Sequence, residues 1–215
     1  MQRNKTQLHG KIEPITIEAR GSQQKITMAE IEELHAEQHG EERIEGKPCI
    51  CVSSSFRAVQ LAFSKLWREN DELPKREEIK IISTLPAEGS QQAFKYILGI
   101  EPLSKTRGEF MLAPPAGMEN NNAGIENYVF TVIRRSTNAS FQVRVRPEVF
   151  PDGFFALKRK VKKGIPREAT EEERKRYEVW ESELRDKFLT FSDDKLFAGE
   201  LAERVKEKGY YDYNR

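Results

Sequence analysis

The chain has 215 residues, of which 37% are hydrophobic, and its formal net charge is +1. This length supports one sizeable hydrophobic core. The numbers of basic (36) and acidic (35) residues are nearly balanced, which excludes a strong overall field for nucleic acid. No apolar run is long enough to cross a bilayer, and the polar N-terminal sequence lacks the apolar segment of a signal peptide. We therefore expect a cytoplasmic location.

Strand and helix signals follow one another at the start of the chain. Residues 11–18 have the pattern of a strand. Thr27 and Glu30 form the pattern of a capping box. A helix is predicted from this box to His39, with Gly40 as its stop.

The next helix is predicted to follow a run of three serines. Ser53 to Ser55 match helix caps, and the residues after them form an apolar stripe that should be buried. This stripe consists of Phe56, Val59, Phe63, Leu66 and Trp67. Residues 78–84 then predict a strand, and residues 90–98 predict a short helix that ends at Gly99.

A β-hairpin is predicted in the middle of the chain. Apolar and polar residues alternate strictly from Phe141 to Arg146, which indicates a strand with one wet face. We expect this strand to pair with residues 128–134 through a turn at residues 136–139.

Two features predict a site for a small anionic ligand beside the cysteines. The stretch from Gly99 to Asn127 is too long for an ordinary connection and is interpreted as a lid, with Arg107 as the anchor for the anion. Gly108 would allow close backbone approach, although a solvated Arg107 is an equal alternative. Ser53 and Ser54 could hold a phosphate or carboxylate through exposed amides, or could serve only as caps.

The C-terminal part begins with a basic segment. We interpret residues 157–167, LKRKVKKGIPR, as a link between a domain of residues 1–156 and C-terminal helices within residues 157–215 that pack on the same domain. The basic side chains of residues 158–167 could bind nucleic-acid phosphates, or they could pair with the acidic residues 171–173. Because no aromatic residues are interleaved with them, nucleic-acid binding is the less favoured alternative.

A long amphipathic helix is predicted after this segment. Thr170 and Glu173 match a capping box, and Ser192 matches the cap of a final helix. The long helix carries an aromatic-rich stripe of Tyr177, Trp180, Leu184 and Phe188. A single small domain need not be large enough to bury this whole stripe, and the β-hairpin could expose an unpaired strand edge. We therefore predict a homodimer. The alternative is that the stripe packs on its own sheet.

The residues best suited to metal chemistry are concentrated in one window, HAEQHGEERIEGKPCIC. It contains His35, His39, Cys49 and Cys51. Imidazole nitrogen and thiolate sulfur are the ligands that zinc and other transition metals prefer. We predict a zinc or other transition-metal site at these four residues, although the spacing matches no standard zinc finger.

Each of these residues also has another interpretation. His35 lies four residues after Ile31 on the apolar helix face, so it could be a packed core histidine. His39 in the last turn could complement the helix dipole. Cysteines before a buried helix are often small apolar residues. Cys51 near a helix N-terminus and Arg57 could instead be a reactive thiolate.

Several of these segments resemble the FmdE family, which is associated with formylmethanofuran dehydrogenase. In that family a helix leads into an H-G-H-x-C-P-G motif at the start of an apolar helix. The segments EELHAEQHG and CICVSSSFRAVQLAF are similar to this arrangement, with His39 and Gly40 as the first H-G and Cys51 as the motif cysteine. FKYILG resembles the family's I-Q-x-x-T-G helix, YVFTVIRRSTNASFQVRVRP its hairpin, and FLTFSDDKLF its closing helices.

The chain departs from the family pattern in its motif. The second motif histidine is replaced by Cys49 or missing, and Val52 and Ser53 stand in place of the proline and glycine. The acidic residue before the I-Q-x-x-T-G helix appears as Gln92, and the cysteine-rich zinc ribbon of some relatives is lacking.

The resemblance implies an α+β fold with a mixed or antiparallel sheet, helices on one face and additional C-terminal helices. This is the arrangement of the catalytic domain of glyceraldehyde-3-phosphate dehydrogenase. It also implies an accessory protein that binds a metal or small ligand and is linked to molybdenum- or tungsten-dependent one-carbon metabolism. The alternative is a degenerate member that acts as a metal-free interaction or structural protein.

Overall fold

A five-stranded mixed sheet lies at the centre of the computed structural model, which describes residues 12–39, 49–67, 73–115 and 124–202. The strands of this sheet are β3 (Ile79–Ser83), β4 (Glu109–Leu112), β5 (Val129–Arg134), β6 (Ala139–Val145) and β7 (Phe197–Ala202). Their order is β4-β3-β5-β6-β7, with β3 and β4 parallel and the other neighbours antiparallel. A separate antiparallel hairpin consists of β1 (Ile15–Ala19) and β2 (Ser22–Ile26).

Helices cover one face of the sheet. Within the described ranges they are α1 (Met28–His39), α2 (Ile50–Leu66), α3 (Glu88–Ile97), α4 (Phe154–Lys163), α5 (Glu171–Thr190) and α6 (Asp193–Leu196). The apolar stripe of α2 is buried, as predicted, and α2 packs on β5 and β6. α1, α3 and α5 pack against α2, while Gln142 and Arg144 on the other face of β6 remain half-buried or exposed. This arrangement confirms the α+β class.

Local capping signals account for the start of α1. The Thr27 hydroxyl accepts a hydrogen bond from the Glu30 amide at 3.3 Å, and the Glu30 carboxylate accepts one from the Thr27 amide at 2.6 Å. This is the predicted capping box, which satisfies amides that have no partner within the helix. The stop predicted at Gly40 lies outside the described residues.

The middle elements also match their predictions. β5 and β6 form the expected hairpin, in which Val129 lies opposite Arg144. α3 begins two residues earlier than expected and is followed by Gly99, whose φ of +69° fits the left-handed position after a helix.

The interpretation of residues 99–127 as one long loop is wrong. β4 lies within this stretch and pairs with β3, with Glu109 opposite Lys80. A salt bridge of 2.8 Å between these two side chains joins the strands. Residues 116–123 of the stretch lie outside the described residues.

The interpretation of residues 157–167 as a link is also wrong, because α4 runs through the predicted boundary at residue 156. Buried Phe154 and Leu157 fix this helix on the core. Basic side chains of α4 and of the segment that follows it form salt bridges with α5, as the alternative interpretation expected. Lys160 and Arg167 form salt bridges of 2.7 Å and 3.2 Å with Glu173.

The two observations that favoured a homodimer are not present. Tyr177, Leu184 and Phe188 on α5 are buried within the same chain, and Trp180 is partly buried against that core. Neither strand of the β5–β6 hairpin is an edge, because β3 pairs with β5 and β7 pairs with β6. The stripe packs within its own chain, as the alternative expected, but mainly against α2 and α4 rather than on the sheet.

The start of α5 gives a prediction for acid stability. The Lys160 ammonium, the Thr170 amide and the Arg167 guanidinium together lower the pKa of Glu173 from 4.5 to about 2. A carboxyl group with a lowered pKa stabilises the fold above its unfolded pKa, and this stabilisation is lost as the pH falls through the folded pKa. We expect the wild type to lose more stability than Glu173→Gln as the pH falls from about 4.5 to about 2.

Urea unfolding at several pH values measures this difference. Glu172→Gln is the matched control, since its carboxylate lies on the same turn and 3.7 Å from Arg176 in an exposed pair. Parallel stability profiles for wild type and Glu173→Gln across the acid range would contradict the prediction.

Candidate thiol site

Three helices bring His35, Cys49 and Cys51 together at one end of the helical layer. His35 lies in the second half of α1, and the two cysteines lie at the N-terminus of α2. Gly89, at the N-terminus of α3, faces the same place. A β-carbon on Gly89 would lie 3.2 Å from His35 Nε2 and 3.3 Å from Cys49 Sγ. His35, Cys49 and Cys51, three of the four residues in the sequence window, thus lie close together in the structure.

Cys49 is the more exposed of the two cysteines. It is the N-cap residue of α2 and is half-buried. A hydrogen bond from the Cys51 thiol and a second from His35 lower the pKa of Cys49 well below its usual value, against the effect of burial. The amides of Cys51 and Val52 point towards the sulfur and add to this effect, although neither forms a regular capping hydrogen bond. This environment favours the Cys49 thiolate.

Cys51 has the opposite character. Its side chain is 7% exposed, and its sulfur lies 4.0 Å from the hydroxyl of the buried Tyr128. A hydrogen bond in which the Cys51 thiol is the donor and Cys49 the acceptor, together with burial, raises the pKa of Cys51 well above its usual value. The two neighbouring sulfurs therefore differ, because the pKa of Cys49 is lowered and the pKa of Cys51 is raised.

His35 is oriented by Gln92 on α3. His35 Nδ1 lies 2.6 Å from the Gln92 side-chain oxygen. Because a carbonyl oxygen only accepts hydrogen bonds, Nδ1 carries a proton, and Nε2 is the ring nitrogen that faces Gly89 and Cys49. Cys49, His35 and Gln92 thus form a chain of nucleophile, base and orienting amide, an arrangement known from cysteine nucleophiles.

Gln92, Gly89 and Tyr128 are site residues that the sequence did not predict. Gln92 was identified only as a substitution in a motif. Its buried side chain is 4% exposed, and its nitrogen has no hydrogen-bond partner among the described residues. A polar residue on the buried face of a short amphipathic helix is the signal that would have indicated it.

The predicted metal site lies only partly within the described residues. No group of three or more histidine, cysteine or acidic side chains in that part of the chain is arranged to hold a metal ion. The side chain of His39 lies outside the described residues, although its backbone ends α1. A metal held by His35, His39, Cys49 and Cys51 stays a prediction.

The predicted role of the serines is wrong. α2 begins at Ile50, so Ser53, Ser54 and Ser55 lie inside the helix, and all three are fully buried. The Ser53 amide already donates to the Cys49 carbonyl, and the Ser54 hydroxyl donates to the Cys51 carbonyl. They neither cap the helix nor present free amides to an anion.

Arg107 does not lie beside the cysteines. It directly precedes β4, and β4 begins opposite Lys80 at the start of β3. Tyr128, the neighbour of Cys51, directly precedes β5, whose beginning pairs with the far end of β3. Arg107 and the thiol site are therefore at opposite ends of the sheet, which contradicts the lid with an anchoring arginine.

The fold and the site together define an α+β protein with an asymmetric pair of thiols at a helix N-terminus. No protein-family model matches the chain, and no curated protein matches it. None of the described helices is long and apolar enough to cross a membrane.

Proposed function

We propose that the protein carries out thiol–disulfide redox chemistry, with Cys49 as the attacking thiolate and Cys51 as the resolving thiol. The observation that supports this proposal is the asymmetry of the pair. Cys49 is half-buried at the helix N-terminus and has a lowered pKa, whereas Cys51 is buried and has a raised pKa. Redox-active cysteine pairs have this division between an accessible thiolate and a buried thiol.

The spacing of the cysteines allows a disulfide. They flank Ile50, the first residue of α2, and α-carbons on either side of a helical residue are about 5.4 Å apart. This separation is within the range of about 4.4 to 6.8 Å that disulfides require. In the oxidation both thiols lose their protons and two electrons pass to the acceptor. If the protein is cytoplasmic, as the sequence predicts, the reducing thiols of that compartment would return the disulfide to two thiols.

His35 supports the attack by Cys49. Its Nε2 faces the sulfur and can take the thiol proton, while Gln92 holds the proton on Nδ1. A positioned acid or base of this kind typically contributes a rate factor on the order of a hundredfold or more.

Equilibration of the reduced, chelator-treated chain with mixtures of reduced and oxidised glutathione tests the proposal. We expect a single transition in which the intact mass falls by two hydrogens. Cys49→Ser and Cys51→Ser should both lose this transition. Cys51→Ser should instead form a mixed disulfide between Cys49 and glutathione, whereas the buried Cys51 of Cys49→Ser should stay a free thiol. A wild-type chain that keeps two free thiols in the most oxidising mixture would refute the redox function.

A metal site is the second candidate. Its support is that His35 Nε2 and Cys49 Sγ face one point beside Gly89, since nitrogen and sulfur donors of this kind suit zinc and other transition metals. In this alternative the protein would be the metal-binding accessory protein that the resemblance to the FmdE family of formylmethanofuran dehydrogenase implies. Elemental analysis of untagged protein purified without chelators distinguishes it from a metal-free protein.

The oligomeric state and the anionic ligand are separate proposals. A homodimer would have to use a surface other than the stripe on α5, for instance the edge of β7 that has no neighbour among the described strands. Light scattering that gives the mass of a single 24.9 kDa chain at micromolar concentration would contradict it. Ser53, Ser54 and Arg107 cannot form one binding site for an anionic ligand, because the serines are buried and Arg107 lies at the other end of the sheet. Such a ligand would have to bind at Arg107 without the serines, or at a different site.

A further inference from the structure

We infer that a second copy of this chain pairs with the edge of β7, so that the two five-stranded sheets join into one continuous sheet across a two-fold axis. This inference rests on the homodimer proposal and names its surface and its register, and it does not depend on the redox chemistry. β7 pairs with β6 on one side and has no neighbour among the described strands on the other side.

The free side of β7 presents backbone groups that can bind another strand. The Arg146 amide donates a hydrogen bond to the Leu196 carbonyl at 2.9 Å, so Leu196 faces β6. Backbone groups alternate in direction along an antiparallel strand, and the residues that face outwards are therefore Phe197, Gly199 and Leu201. β7 has neither the lysine nor the proline that commonly protects such an edge.

One register makes β7 complementary to a second copy of itself. With the two-fold axis at Gly199, each Gly199 lies opposite the partner's Gly199, and Leu201 lies opposite the partner's Phe197. Leu201 and Phe197 both lie on the helical face of the sheet, because their opposite neighbours on β6 are buried in the core. Leu201 is 55% exposed in the single chain. The pairing thus covers an apolar side chain that the described residues leave open.

The charges on the other face of the sheet are complementary in the same register. Arg144 on β6 lies opposite Ala198 on β7, and in the dimer the partner's Glu200 lies opposite the same Ala198. Arg144 and the partner's Glu200 are then two strands apart, about 10 Å between their backbones, with only a small side chain between them. Both side chains are exposed, and neither forms a salt bridge with a described residue of its own chain. The two-fold axis creates this pair twice.

Other registers and other strand pairings fit less well. With the axis at Glu200, the two Glu200 carboxylates would lie opposite each other, and like charges directly opposite are destabilising. Pairing of β7 with β4, at the other end of the strand order, would leave a free edge for every further copy and would not close. Self-pairing of β7 closes the assembly as a dimer.

Charge reversal on either side of the interface tests the inference. Light scattering at micromolar concentration should give the wild type twice the mass of one 24.9 kDa chain. Arg144→Glu and Glu200→Arg should each weaken dimerisation at least about tenfold, because like charges then meet twice across the axis. Glu178→Arg is the control, since it makes the same charge change at an exposed position on α5 and should stay dimeric.

A mixture of the two single variants separates contacts between chains from contacts within one chain. Arg144→Glu has two acidic side chains at these positions and Glu200→Arg has two basic ones, so a mixed dimer regains both pairs of opposite charge. We expect the mixture to dimerise with an affinity within about threefold of the wild type. Native mass spectrometry with one variant isotopically labelled should show the mixed dimer. Mixing cannot restore a contact that acts within one chain.

The outcomes separate this inference from the other proposals. A monomeric wild type overturns the homodimer and this inference together. A dimer that persists in both Arg144→Glu and Glu200→Arg keeps the homodimer but overturns the pairing through β7. Single variants that dissociate and stay monomeric when mixed overturn the register. Each of these results leaves the redox chemistry of Cys49 and Cys51 in place.

Discussion

Iodoacetamide is expected to alkylate Cys49 on the order of a hundredfold faster than Cys51 in the wild-type chain at neutral pH. Cys49 is half-buried with a lowered pKa, whereas Cys51 is buried with a raised pKa. The rate at Cys49 should stay nearly constant from alkaline pH down to its lowered pKa. The rate at Cys51 should rise only under alkaline conditions. Peptide mapping by mass spectrometry after timed quenching measures both rates in one sample.

Two variants identify the cause of this asymmetry. Cys51→Ser keeps a hydroxyl donor for the Cys49 thiolate, whereas Cys51→Ala removes the hydrogen bond that lowers the pKa of Cys49 most. The pH midpoint for alkylation of Cys49 should therefore be higher in Cys51→Ala than in Cys51→Ser. Equal midpoints would mean that the helix N-terminus and His35 stabilise the thiolate without Cys51.

Gly108→Ala is expected to destabilise the fold by about 3 kcal/mol. A β-carbon at this position would lie 2.5 Å from the Ile79 carbonyl oxygen and 2.9 Å from the Arg76 carbonyl oxygen. These are backbone atoms of the first residue of β3 and of the turn just before it, so the clash cannot be relieved by rotation of a side chain. Gly108 does allow a close backbone approach, as the sequence suggested, but the approach is to the protein's own backbone and not to a ligand.

Gly153→Ala is the matched control for Gly108→Ala. Gly153 has a φ of +78° and open space at its β-carbon position, so alanine there should cost only about 1 kcal/mol of backbone strain. Unfolding in urea gives both free energies. A loss at Gly108 no larger than the loss at Gly153 would show that the loop before β4 can move away from β3.

Sequence reasoning located the elements whose signals are local. The capping boxes at Thr27 and Thr170 and the stripe of α2 depend on residues within a few turns of each other, and the structure contains all three. The alternation in β6 likewise follows from one buried and one wet face.

The missed elements are those that long-range contacts create. Most of β2, SQQKI, is exposed and polar, and it is a strand only because it pairs with β1. β7 contains a glycine, which usually weakens a strand. Gly199 is required there because a β-carbon would lie within 2.6 Å of two atoms of the Phe141 ring. Nothing in the sequence FAGELA itself indicates that the ring of Phe141 packs against Gly199.

The part of the site that is local in sequence was predicted, and the part that depends on tertiary contacts was not. His35 and the cysteines share one short window, so their proximity was visible in the sequence. Gln92 and Tyr128 reach the cluster through α3 and the start of β5, which only the tertiary fold brings near. The prediction of serine caps was wrong because the N-cap is Cys49, four residues before Ser53, although serine is far commoner than cysteine at this position.

The position of β7 has a consequence for synthesis on the ribosome. β6 lies in the interior of the sheet, yet its partner β7 is translated only after α4, α5 and α6. Until then the nascent chain presents an unpaired strand edge with Phe141, Val143 and Val145 on its apolar face. Such an edge can pair with other chains. A ribosome that stalls between β6 and β7 would therefore hold the chain in the form most prone to aggregation.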